Sequence, residues 1–138
     1  MLFQLNTSDD RPIYAQIGDQ VKFAVAAGSL KAGELVPSVR ELARQLVVNP
    51  NTVARAYRDL QNEAILDAVR GTGLQVSQGA VEVCREARRG FVRRRVREVL
   101  DEAKRSHLPF EEIEAILREE WGRGQNGVAA TESKGGGR

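Results

Sequence analysis

Cysteine, histidine and aromatic side chains are scarce in this sequence. The single cysteine, Cys84, leaves no partner for an internal disulfide. With a single histidine, His107, the donor set of a conventional zinc site is missing as well. No nucleophile–base pairing is visible, because His107 falls at a helix end where C-terminal capping is its plain role. Neither a metal nor a cofactor is expected. No apolar run approaches the length of a membrane span, and the N-terminus lacks a signal peptide's basic start and apolar core. A cytoplasmic location and no membrane partner are the expectations. The 138 residues suffice for one small domain and an appendage, not for a two-domain enzyme. Charged residues make up 29% and aromatics 5%, the balance of a helix-rich chain. The net charge of +2 is too small to indicate a partner, so the placement of the charges has to do so.

The stretch that organises the chain is Pro37 to Leu60, PSVRELARQLVVNPNTVARAYRDL. Ser38 can cap a helix and Glu41 can reach back to it, a capping box. Val39, Leu42, Ala43 and Leu46 follow at helical spacing and predict one buried stripe. A second start lies at Asn49-Pro50-Asn51-Thr52, with Asn49 at the cap and Pro50 at the first helical position, where its missing N–H costs nothing. Val53, Ala56, Tyr57 and Leu60 then form a buried stripe, and Asn51, Arg55, Arg58 and Asn62 a polar one that turns outward. Amides and guanidinium groups are the side chains that read base edges, and a helix fits the major groove. A polar helix face is commonly just solvated. Two capped helices joined by a tight turn favour the DNA reading, because a helix-turn-helix makes its contacts through the N-terminal end of its second helix.

Ile65 to Val69 and Leu74 to Val76 read as two short strands, with Arg70-Gly71-Thr72-Gly73 as the hairpin loop. A hairpin directly after a recognition helix is a wing. Its tip would carry Arg70 to phosphate or the minor groove. The plainer alternative for Gly71-Thr72-Gly73 is a turn and nothing more. No helix opens after it, so a dinucleotide site is not indicated.

Pro12-Ile13-Tyr14-Ala15-Gln16-Ile17, Pro37 to Ala43, Asn49 to Tyr57 and Gly71-Thr72-Gly73 resemble the winged-helix domain of GntR-type bacterial transcription regulators. The short remainder resembles the YtrA-type branch, in which two helices for dimerisation stand in place of a ligand-binding domain. The resemblance implies DNA contacts at the position of Arg40, at the early positions of the recognition helix and at the wing tip. It also implies a repressor of its own operon, often with a membrane transporter nearby. Two positions depart from the family pattern: Val47 and Ala64 stand where glycine is usual. Positive φ is convenient at both, and a β-branched Val47 would be strained there, so the turn is expected to adjust slightly. Where other branches carry an arginine this chain has Ala54 and its neighbour Arg55, so base identity does not transfer.

Before the central stretch, Met1 to Leu5 is a short apolar start, and Pro12 opens a helix capped by Asp10 or Arg11 and stopped at Gly28. Ile13, Ile17, Val21, Ala24 and Val25 keep one face of it, as scaffold. After the wing, a helical segment runs from Ala80 to His107, with a kink or break possible at Gly90. Val92, Val96, Val99, Leu100 and Ala103 share a face. Arg88, Arg89, Arg93, Arg94, Arg95 and Arg97 form the densest positive charge, open to two readings: a phosphate-facing surface or a solvated one. A last helix starts at Pro109, with Phe110, Ile113, Ile116, Leu117 and Trp121 on its apolar side. Two-fold self-association is the simplest use of this surface, with Trp121 either its anchor or a plug in the protomer's own core.

The expected architecture is therefore mainly α with a small β-wing: a winged helix-turn-helix domain at 1–78, a two-helix dimerisation segment at 79–121 and a disordered tail at 122–138. The expected function is a homodimeric, sequence-specific regulator on an inverted repeat of double-stranded DNA. Asn51, Arg55 and Arg58 would read or flank bases. Ser38, Arg40, Asn49, Thr52, Arg70, Gly71 and Thr72 would hold the backbone. Val92, Val96, Val99, Leu100, Ile113, Leu117 and Trp121 would form the dimer. The alternatives are a ligand or stress sensor acting through the appendage and a non-specific architectural protein. An enzyme is excluded by length and by the missing nucleophile–base pair. No effector can be named from the sequence.

Overall fold

The computed structural model describes residue 5 and residues 10–135, with side chains as far as 124. Among the described residues seven elements follow in order: α1 (Ile13–Ala27), α2 (Val39–Leu46), α3 (Pro50–Asn62), β1 (Leu66–Val69), β2 (Gly73–Val76), α4 (Ala80–Arg105) and α5 (Phe110–Gly135). Two compact units result, one reaching through Val92 and one beginning at Arg93.

In the first unit the apolar stripes meet as their spacing predicts. Ile17, Val21 and Val25 of α1, Leu42 and Ala43 of α2, and Val53, Ala56, Tyr57 and Leu60 of α3 are all buried in one core. Truncating a core leucine such as Leu60 to alanine costs about 2–5 kcal/mol. Each helix start has its own origin. Ser38 Oγ accepts from the Glu41 amide at 3.1 Å, and Asn49 Oδ1 accepts from the Asn51 amide at 2.8 Å. α1 departs from expectation. Pro12 itself is the N-cap, without a side-chain cap, and its carbonyl takes the amides of Ala15 and Gln16. Arg11 pairs with Asp19 instead and lies over the Phe91 ring.

The wing is an antiparallel pair in which Leu66 faces Val76 and Val69 faces Gly73. A third segment supports it. Gly33 donates to Val76 O at 2.8 Å, Val76 to Glu34 O at 2.9 Å and Val36 to Leu74 O at 3.0 Å. The chain entering α2 is thereby tied to the second wing strand. This coupling is invisible to periodicity, because Leu35 makes a single bridge, with Gln75.

The helix ends show how the missing glycines are accommodated. Val47 stands in the left-handed region at φ 54° and Ala64 at φ 61°. Val48 N donates to Ala43 O and Ile65 N to Leu60 O, the six-residue closure of a Schellman motif. The closing hydrogen bonds hold the left-handed geometry, and Val47 takes the strain. His107 behaves alike at the end of α4, at φ 58°, with Leu108 N donating to Ala103 O. It caps through its backbone conformation.

The sequence reading ends the DNA-binding domain at residue 78, but the compact unit continues to Val92. The first turns of α4 are the reason. Ala80 and Cys84 are buried in the core, and Phe91 meets Phe23 edge-on with ring centroids 5.0 Å apart. α4 is unbroken across Gly90, because one glycine weakens a helix by only about 1 kcal/mol. In the second unit Ala103 and Ile113 are the buried apolar residues among those described. The last helix continues to Gly135, across residues that the sequence reading assigns to a disordered tail from 122. Residues 1–4 of the apolar start and 136–138 of the tail lie outside the described residues.

Candidate nucleic-acid interface

Three backbone features of the first unit carry the residues assigned to DNA. They are the N-terminal turn of α2, the N-terminal half of α3 and the loop between β1 and β2. Capping fixes the first two, so the side chains beside the caps have defined directions. Ser38 and Arg40 are exposed at the start of α2, and Asn49 and Asn51 are exposed at the start of α3. Thr52 is half-buried. Its amide donates to Asn49 O at 2.9 Å and completes the turn. Arg55 and Arg58 continue the exposed stripe along α3.

The wing loop is three residues long, Arg70-Gly71-Thr72, closed by Thr72 N donating to Val69 O at 3.0 Å. Gly71 has φ 74°, a conformation that glycine adopts without steric cost. All three residues are exposed. A cleft of about 660 Å³ runs between the loop and α2, lined by Ser38, Glu41, Tyr57, Thr72 and Gly73 among others.

Tyr57 sets the spacing between α3 and the start of α2. It is buried, and its hydroxyl donates to Pro37 O at 2.7 Å. Burial, aided by the Glu41 carboxylate, holds the phenol well above its ordinary range. It therefore stays a neutral donor. The sequence assigns Tyr57 to the core stripe correctly but gives no sign of this bond.

Arg55 departs from expectation in another way. Its guanidinium carbon lies 3.7 Å from the centroid of the Tyr14 ring, so the arginine is stacked on α1. Composition gives no signal for this contact, because it joins residues 41 positions apart whose helices meet only in the folded core.

The residues assigned to self-association divide. Val92, Val96, Val99, Leu117 and Trp121 are exposed, Leu100 is half-buried and Ile113 is buried. Trp121 is 72% exposed and so is no plug in the protomer's core. The six arginines between 88 and 97 are all exposed on α4, with Arg89 within 3.9 Å of Glu86. Among the described residues no cluster has the makings of a metal site, and no helix is long and apolar enough to cross a membrane.

Residues 13–76 match the profile of the bacterial regulatory proteins of the gntR family. The HTH-type transcriptional repressor YtrA of Bacillus subtilis is 31% identical over 118 residues, covering 86% of this chain and 91% of that one. A GntR family transcriptional regulator from Listeria monocytogenes superposes with a TM-score of 0.68 at 31% identity, over 81% of this chain and 97% of that one. YtrA from Sulfolobus acidocaldarius, a GntR-family transcription factor, superposes with a TM-score of 0.54 at 35% identity, over 70% and 98%. These relatives are transcription regulators, not enzymes. The chain belongs to the GntR family of bacterial regulatory proteins, in its YtrA-like branch.

Proposed function

We propose that this regulator is a cytoplasmic, homodimeric repressor that binds an inverted-repeat operator in a sequence-specific manner. The observation that carries the reading is the exposed stripe Asn51, Arg55 and Arg58 on a capped α3. A helix presented this way enters a major groove, and amide and guanidinium groups pair with adenine and guanine edges. Ser38, Arg40, Asn49, Thr52, Arg70, Gly71 and Thr72 then hold the phosphate backbone on either side. The backbone amides at the two helix starts favour phosphate for the same reason as any helix N-terminus.

Dimerisation fixes the distance between half-sites. Val92, Val96 and Val99 form one exposed apolar stripe along α4, and Leu117 and Trp121 are exposed one turn apart on α5. A second copy of the chain is the partner that a two-fold operator demands. Repression as the sign of regulation is supported by the Bacillus subtilis relative, which is a transcriptional repressor.

The test is selection of bound duplexes from a random pool at physiological salt with competitor DNA. An enriched inverted repeat with a fixed gap is the expected result. A pool that binds without enrichment would replace this reading with non-specific architectural binding through the α4 arginines.

A further inference from the structure

Arginine on an exposed helix face ordinarily samples many rotamers, and ordering it against a base edge costs side-chain entropy. Arg55 is not in that state. Its guanidinium lies over the ring of Tyr14, 3.7 Å from the centroid. Asp59, one helical turn on, offers a competing carboxylate, yet the ring and not Asp59 holds the cation.

Tyr14 is itself fixed. It sits in the first turn of α1, three residues before Ile17 and seven before Val21, on the stripe buried against α3. It is half-buried, packs on the core and lines a shallow groove with Gly18, Ala56 and Asp59. Stacking covers a flat face of the guanidinium. Its N–H donors lie in the plane of the group and stay available at the edge, the edge that pairs bidentately with guanine O6 and N7.

We propose that Tyr14 is a positioning residue for base recognition, holding Arg55 edge-on for a guanine in the major groove. The inference rests on α3 being the recognition helix. It assigns to α1, otherwise scaffold, a part in specificity.

The experiment measures affinity for the selected duplex and for the same duplex altered at each guanine, with wild type, Tyr14→Phe, Tyr14→Leu, Arg55→Ala and the Tyr14→Leu/Arg55→Ala pair. Side-chain NMR shifts of Arg55 in the free protein accompany it. Tyr14→Phe keeps the ring, so affinity, base preference and the ring-current shift are expected to persist. Tyr14→Leu is expected to weaken the preferred duplex about 5-fold, the scale of one exposed cation–π contact. The loss falls at the guanine that Arg55→Ala also ceases to prefer, and the pair is no weaker than Arg55→Ala alone.

Equal loss in Tyr14→Phe and Tyr14→Leu would overturn the proposal in favour of a hydroxyl–phosphate contact. Uniform loss over all duplexes, or additive losses in the pair, would overturn it too. Should Tyr14→Leu melt below the assay temperature, Tyr14→Phe decides: loss of the preference refutes the proposal, and retention with the ring-current shift supports it. If the shift is present in wild type but no duplex is enriched, the recognition-helix reading fails and the positioning role falls with it. Enrichment without the shift leaves that reading standing and removes the stack.

Discussion

The Tyr57 hydroxyl donates to the carbonyl of Pro37 across 2.7 Å, joining the middle of the proposed recognition helix to the residue before the α2 cap. The bond ties the start of α2, with Ser38 and Arg40, to the surface that carries Asn51 and Arg55. Tyr57 is thus both a core side chain and a strut for the proposed DNA-binding face.

Tyr57→Phe removes this donor while keeping the ring. Stability at pH 7 is expected to fall by about 1 kcal/mol, the net worth of such a bond. The pH dependence has a definite sign. The folded-state phenol titrates above its unfolded value of about 10, so its contribution is complete below pH 10. Above pH 10 the unfolded chain loses the proton first, and stability falls as pH rises toward the folded value. Denaturant melts at pH 8, 10 and 11 check this: the alkaline decline should be shallower in Tyr57→Phe than in wild type.

Val47→Gly should stabilise the fold by about 1 kcal/mol. Left-handed geometry costs an L-residue roughly 1–2 kcal/mol, and the added chain entropy of glycine returns only part of that. The Val47 side chain is 88% exposed, so its removal forfeits little burial. A higher midpoint in urea with an unchanged slope is the expected readout, and an unchanged or lower midpoint would show that the valine is not strained.

Arg40→Ala and Arg55→Ala should differ in kind. Arg40 at the start of α2 is assigned to phosphate, so its loss should weaken every duplex alike and reduce the salt dependence by about one ion. Loss of Arg55 should cost about 1–3 kcal/mol on the preferred duplex and relax one base position. Binding titrations on matched and mismatched duplexes at two salt concentrations separate the two. Identical profiles would remove the division of roles.

Leu117→Glu combined with Trp121→Glu should abolish self-association, because both side chains are exposed and neither supports the core of the first unit. Light scattering at micromolar concentration should report a dimer for wild type and a monomer for the variant. The melt of the first unit should be retained. A wild-type monomer would end the dimer proposal.

Cys84 should react with a thiol reagent only when the first unit opens. It is fully buried, and burial raises its thiol above the ordinary range despite the nearby Lys22. Fewer thiolates and no access both slow the reaction. A modification rate that rises with denaturant in step with unfolding is expected; rapid reaction in native buffer would contradict the core described for α4.

Local chemistry determined much of this protein in the sequence alone. Ser38 and Asn49 mark the two helix starts, because a capping side chain acts on amides only two or three residues away. The stripes Leu42–Ala43 and Val53–Ala56–Tyr57–Leu60 mark the buried faces, because helical spacing is a property of consecutive residues. The hairpin near Gly71 was legible for the same reason. Only the tertiary structure decided what depends on distant residues meeting. It carried the first unit on to Val92, since Ala80 and Cys84 are buried by elements far back in the chain. It placed Arg55 on Tyr14 and the Tyr57 hydroxyl on Pro37, contacts set by the approach of one helix to another. It also kept Val47 left-handed, because hydrogen bonds that close a helix end outweigh the preference of one side chain.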